Sequence, residues 1–211
     1  MTELTGHHQA LVVGTGFGGL YSLYLLKQQG LDVIAIDTGS DVGGTWHWNG
    51  YPGARSDVHT YAYQLSFDKA IWANFNGPNN FFLRNELQTL FQDIAKSHDL
   101  YPLIHFKTEM TSAHFNDNEN VWEIKTNTGH EFTVRYLVTA IGILHKPQYP
   151  DIAGIDRFQG RTVHSSQWTP SVEYVGKRVG IIGSGASGVQ VRFPVLRSHL
   201  RPKRTLALGS H

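Results

Sequence analysis

The sequence predicts an α/β fold made of two dinucleotide-binding units, the second of them incomplete. Two glycine-rich loops, Gly14-x-Gly16-x-x-Gly19 and Gly183-x-Gly185-x-x-Gly188, each follow an apolar run and open a helical pattern. Between them lie an amphipathic helical stripe and a series of short runs that read as strands. After Val191 the pattern that a second unit needs fails, because Pro194 and Pro202 interrupt the expected helix. The totals agree with this reading. At 211 residues the chain holds one or two domains, and 40% hydrophobic residues suffice for a core.

Composition excludes several function classes. A net charge of +1 with no dense Lys/Arg block gives no push toward nucleic acid. The absence of cysteine removes disulfides, thiolate metal sites and Cys nucleophiles. It also excludes the flavoprotein disulfide reductases, which share paired dinucleotide loops but need a redox-active Cys pair. The 12 histidines show no HExxH-type spacing, so no metal site is expected. No serine sits in a recognisable nucleophile elbow. The first nine residues lack an apolar signal region, and no run is long enough to span a bilayer, so a soluble cytoplasmic protein with no membrane partner is expected.

The first unit begins with residues 10–13, a buried strand by composition. The loop follows at once, and Leu20, Leu23, Tyr24 and Lys27 recur at helical spacing up to Gly30. Residues 32–36 form a second strand that ends at Asp37. Strand, loop, helix, strand and acid in this order make a Rossmann-like nucleotide site. Gly14 permits the tight turn, Gly16 lets the backbone approach a pyrophosphate, and Gly19 lets helix and strand pack closely. The helix N-terminus offers unpaired N–H groups to phosphates, and Asp37 can accept from an adenosine ribose. The loop alone does not separate FAD from NAD.

Residues 41–57 are rich in glycine and aromatics and read as too irregular for helix or strand. Trp46, Trp48 and Tyr51 offer flat surface that suits an isoalloxazine ring, or equally well a core. Residues 68–82 read as loop. Residues 84–98 read as an amphipathic helix, with Leu87, Leu90, Phe91 and Ile94 on one face. Residues 99–100 then lead into 104–107. Residues 111–115, 121–126 and 131–135 look like an antiparallel meander, and 136–141 a separate strand returning to the parallel sheet. Residues 178–182 should form the strand before the second loop. Arg197, Arg201, Lys203 and Arg204 could meet a 2′-phosphate, but read better as a solvated basic tail.

Between the two loops stands Phe158-x-Gly160-x-x-x-His164-x-x-x-Trp168. The order of loop, this motif and second loop resembles the Baeyer–Villiger monooxygenases. These flavoenzymes use FAD, NADPH and dioxygen to insert oxygen next to a ketone carbonyl, through a C4a-peroxide of the flavin. Residues 43–57 are similar to the family's G-G-T-W-x-W-N-x-Y-P-G-A-R-x-D segment.

The resemblance implies that Gly14, Gly16, Phe17, Gly18, Gly19 and Asp37 hold FAD. It places Gly44, Thr45, Trp46 and Tyr63 near the flavin and lets Gly142 close on it. Asp57 matches a catalytic-site acid that helps place an arginine. Gly183, Gly185 and Gly188 would take the NADPH pyrophosphate. His164 and Trp168 would couple the domains, and Trp168 favours ketone oxidation over N- or S-oxygenation. Gly50 stands where relatives carry a longer side chain.

The implied organisation is an FAD domain over 1–154 with an inserted helix and meander, a linker over 155–174, and the start of an NADPH domain over 175–211. A small ketone and dioxygen are the implied partners, and the oligomeric state is open. The resemblance covers residues 9 to about 191, so a truncated member with an out-of-register tail is expected. A non-catalytic FAD-binding fragment and an N- or S-oxygenating flavin monooxygenase are the alternatives.

Overall fold

The computed structural model describes residues 3–74, 80–144 and 146–200. Arg201, Pro202, Lys203 and Arg204 lie outside the described residues. The frame is a six-stranded sheet of order β3-β2-β1-β6-β5-β4. Its strands are β1 (Gly6–Val13), β2 (Val33–Asp37), β3 (Ile104–Phe106), β4 (Met110–Asn116), β5 (Val121–Thr126) and β6 (Glu131–Thr139). β3, β2, β1 and β6 run parallel, while β6, β5 and β4 pair antiparallel.

Strand alternation builds two cores from the two faces of the same strands. Ala10, Val12, Val33 and Ala35 join one buried cluster, and Leu11, Ile34 and Ile36 join the other. Every residue of β2 is buried, as a central parallel strand requires. Helices α1 (Phe17–Gln28) and α4 (Arg84–Ser97) supply Leu20, Leu23, Leu87, Leu90, Phe91 and Ile94 to the first cluster. Glu86 accepts the Leu83 N–H at 2.7 Å and so starts α4.

Five expectations are corrected. Residues 131–135 and 136–141 are not two strands. The nine residues of β6 form one, because each strand has two edges. One edge pairs antiparallel with β5, and the other pairs parallel with β1. Residues 45–48 form a short helix, α2 (Thr45–Trp48), inside the segment read as irregular. Residues 69–74 form another, α3 (Lys69–Asn74), where a loop was expected. Asp68 starts α3 by accepting the Ile71 N–H at 2.9 Å, a capping signal hidden among aromatics. Residues 178–182 form no strand and have no ladder partner among the described residues, and Ile182 is 72% exposed. A strand needs a neighbour to satisfy its backbone. Finally, α5 (Ala186–Leu200) runs through Pro194. Proline removes only the bond to the Gln190 carbonyl, and the rest of the helix carries it.

Phe91 sets the test of this packing. It is 1% exposed and meets the Phe17 ring edge-on at 4.6 Å. Phe91→Ala should cost about 3–5 kcal/mol in urea unfolding. Tyr61, 72% exposed, should tolerate alanine within about 0.5 kcal/mol. Equal effects at both sites would contradict the core assignment.

Candidate functional site

The site forms where β1, β2 and β6 end together. Gly14 turns the chain at φ +97, and a Cβ there would stand 2.6 Å from the Ala140 carbonyl oxygen. A Cβ on Gly19 would stand 1.8 Å from the Gly14 carbonyl oxygen. Only glycine allows both approaches. A Cβ on Gly18 would meet the Ala140 methyl at 3.8 Å, in ordinary contact. Gly16 caps α1, and no side chain bonds to the helix start. The amide groups of that first turn have no intrahelical partner, and they carry the positive end of the helix dipole.

Asp37 fastens this turn. Its Oδ2 accepts from the Thr15 N–H and the Thr15 hydroxyl, each at 2.7 Å. Its Oδ1 accepts from the Gly39 N–H at 2.7 Å. A carboxylate has about four acceptor positions. Three are thus filled by the chain itself, and one remains for a ligand hydroxyl.

The aromatic loop crosses this turn. Gly43 N–H donates to the Thr15 carbonyl at 3.0 Å. A Cβ on Gly44 would lie 2.8 Å from the Gly16 Cα. Trp46 is buried and donates from Nε1 to the Tyr63 hydroxyl at 3.2 Å. The Tyr63 ring in turn meets Phe17 edge-on at 4.9 Å. Trp46, Tyr63 and Phe17 therefore form one aromatic wall beside the start of α1. Burial is the main cause that raises the Tyr63 hydroxyl, and Asp57 adds to it through its charge. Thr45 and Asp57 are exposed. Gly142 has φ +74 and open space around it, so contact with the glycine turn falls to Ala140 instead.

Asp41 anchors the start of the loop. It accepts from the Val42 N–H and the Tyr101 hydroxyl at 2.8 Å each, and from Gln92 Nε2 at 2.7 Å. Burial pushes the Asp41 carboxyl up. The hydrogen bonds from Gln92, Tyr101 and Val42, with His47 nearby, outweigh burial and hold it below its ordinary value. Burial, followed by the facing Asp41, raises the Tyr101 hydroxyl.

The second glycine turn repeats the first. A Cβ on Gly188 would stand 2.4 Å from the Gly183 carbonyl oxygen, while Gly183 and Gly185 face open space. The helix it opens, α5, docks on the aromatic loop. Gln190 Oε1 accepts from the Tyr51 hydroxyl at 2.9 Å and the Arg55 N–H at 3.2 Å. Its Nε2 donates to the Arg55 carbonyl at 3.0 Å. A Cβ on Gly53 would stand 2.7 Å from the Gln190 carbonyl oxygen, the group from which Pro194 withholds its helical N–H donor.

The linker motif divides. Trp168 packs against Tyr51, Ala54, Val191 and Val195 and meets Tyr174 edge-on. His164 accepts the Ser166 N–H at 3.2 Å and lies beside the Tyr149 ring. Phe158 is exposed and folds over Gly160. Only Trp168 of the four reaches the cluster that joins the two glycine units.

The flavin-binding monooxygenase-like family model matches residues 7–201. The chain belongs to this family. The match runs past Val191, so the expected break there is corrected, in keeping with an unbroken α5. The chain is 44% identical to a phenazine N-monooxygenase of Lysobacter antibioticus over 185 residues, 87% of this chain and 34% of that protein. It is 42% identical to a cyclohexanone 1,2-monooxygenase of Acinetobacter sp over 183 residues, 86% of this chain and 34% of that protein. A closed crystal structure of cyclohexanone monooxygenase superposes with a TM-score of 0.86 at 35% identity, covering 92% of this chain and 37% of that one. A cyclohexanone monooxygenase from Rhodococcus sp. Phi1, solved bound to NADP+, gives 0.86 at 36% identity, covering 92% and 36%. The chain thus spans about a third of the length of these relatives. Among the described residues no helix is long and apolar enough to cross a membrane.

Sequence reasoning missed Ala140 and Gln190. Both are recognisable only once the fold brings residues distant in sequence together. The Asp41 network carries its own test. A carboxyl lowered in the folded state stabilises above its ordinary 3.8, and that contribution is lost as pH falls through the lowered value. Asp41→Asn should therefore melt below the parent at about pH 6, with the gap closing as acid takes the parent carboxyl. A gap that persists unchanged into acid would show that the Asp41 charge does not hold the loop.

Proposed function

We propose that this chain is the FAD-binding part of an NADPH-dependent flavin monooxygenase that inserts one oxygen atom of dioxygen next to a ketone carbonyl. The carrying observation is the uncapped start of α1 beneath the Gly16–Gly44 crossing, with the aromatic wall of Trp46, Tyr63 and Phe17 beside it. A dinucleotide fits there. Free amides face its pyrophosphate, glycine removes the Cβ atoms that would fill the cradle, and the flat rings flank a heteroaromatic group.

In this reading Gly14, Gly16, Phe17, Gly18 and Gly19 present the backbone to the pyrophosphate. Asp37 takes one ribose hydroxyl at its remaining acceptor position. Gly44, Thr45, Trp46 and Tyr63 orient the ring system, Gly142 leaves room for it, and Asp57 sets the charge beside it. Gly183, Gly185 and Gly188 receive the NADPH pyrophosphate, and Trp168 and His164 couple the two units. The domain limits follow as 1–154, 155–174 and 175–211. Bound FAD, once reduced by NADPH, would supply the activation of dioxygen. The protein's own part is to bind, orient and exclude water. Ketone substrates are supported by the cyclohexanone 1,2-monooxygenase relative.

N-oxygenation is the second reading, favoured by the 44% identity to a phenazine N-monooxygenase. Ketone-dependent against amine-dependent NADPH oxidation separates the two in a protein of the relatives' full length.

The chain itself should take up FAD and keep a visible flavin band through desalting. Absence of that band after reconstitution would sink the cofactor assignment. Anaerobic NADPH then tests the second unit: bleaching means that its glycine turn works here, and a persistent band means that it does not.

A further inference from the structure

The aromatic loop is held from behind by one stripe of α4. Arg84, Gln88 and Gln92 stand four residues apart on this helix and so project to the same side. Each grips a different point of the loop. Arg84 donates from Nε to the Trp46 carbonyl at 2.6 Å and from Nη2 to the His47 carbonyl at 2.7 Å. Gln88 Nε2 donates to the Val42 carbonyl at 2.7 Å. Gln92 Nε2 donates to the Asp41 carboxylate at 2.7 Å. The order reverses along the two segments, so helix and loop close like an antiparallel seam. The neighbouring stripe of Leu87, Leu90, Phe91 and Ile94 is buried in the sheet core. One face of α4 thus packs the fold, and the next face holds the loop.

Physical chemistry explains why the loop needs this hold. Gly43 and Gly44 take φ of +128 and +52. Glycines lose the most backbone freedom when ordered. A helix of four residues, as α2 is, cannot sustain itself. The Trp46 and His47 carbonyls lie in its last turn and lack intrahelical partners, and Arg84 supplies both. Gln88 is pressed against the loop as well, since a Cβ on Gly43 would stand 2.5 Å from its Oε1.

We propose that Arg84, Gln88 and Gln92 are positioning residues that hold residues 41–48 in the shape that receives the flavin ring. The proposal rests on the FAD reading above. It gives the polar face of α4 a task beyond solvation, namely to set where Thr45 and Trp46 stand against the start of α1.

The test compares the parent with Arg84→Ala, Arg84→Lys, Gln88→Glu and Leu87→Ala. Two quantities are read: amide exchange of residues 41–48 in the FAD-free chain, and the FAD dissociation constant with the visible circular dichroism of bound flavin. Arg84→Ala should speed exchange in 41–48, weaken FAD binding about tenfold or more and alter the flavin dichroism. Arg84→Lys keeps the charge without the fork, so it should recover part of each. Leu87→Ala should lower the melting temperature, yet leave loop exchange and FAD affinity near the parent while folded. Should Arg84→Ala not fold, Gln88→Glu, which loses the donor to Val42, carries the same comparison. Parent-like exchange and affinity in the Arg84 or Gln88 variants would overturn the proposal. So would the same loop loosening in Leu87→Ala, since general destabilisation would then explain it. A parent that binds no FAD sinks the cofactor reading, and loop exchange alone then decides whether α4 holds the loop.

Discussion

The crossing of Gly16 and Gly44 is the constraint on which the rest of the site depends. Two backbones pass so closely that a Cβ on Gly44 would stand 2.8 Å from the Gly16 Cα. Glycine permits the contact without creating it, so other interactions must press the strands of chain together. They are visible on both sides. Asp37 fixes Thr15 from the end of β2, and the Thr15 carbonyl fixes Gly43. From the other side, α4 holds Val42, Trp46 and His47. The crossing is a consequence of the sheet order, because β2 stands beside β1 and delivers Asp37 to the base of its turn.

Much of this was readable in the sequence, for a definite reason. The glycine turn, the acid at the end of β2 and the apolar stripe of α4 are local patterns, each fixed by spacing within one element. What the sequence hid is contact between elements. Arg84 and Gln92 look like solvated positions on an amphipathic helix, and only the fold shows what they face. Gln190 bonds to residues more than a hundred positions away, so no window of sequence contains the pair. In the sequence β6 looks like two strands because its antiparallel and parallel edges give different local signals, although a single strand serves both. Pro194 read as a break because propensity weighs a lone helix. The docking of Gln190, Val191 and Val195 on Tyr51 and Ala54 outweighs a penalty of about 3 kcal/mol.

The two glycine turns show how a motif divides its work between sequence and surroundings. Within each turn the third glycine sits against the carbonyl of the first, with a Cβ at 1.8 Å in one and 2.4 Å in the other. That geometry belongs to the motif. The surroundings differ. A Cβ on Gly14 would strike the Ala140 carbonyl at the end of β6, whereas Gly183 and Gly185 meet nothing. The first turn is therefore set between neighbouring strands, whereas no strand stands against the second among the described residues. Because α5 is docked through Gln190 onto the Tyr51–Arg55 bend, the second turn takes its position from the aromatic loop rather than from a sheet of its own among the described residues. The Gln190 contacts thus tie the second turn to that loop. This mechanical link lies in hydrogen bonds and packing distinct from the linker motif, of which Trp168 alone joins the same cluster.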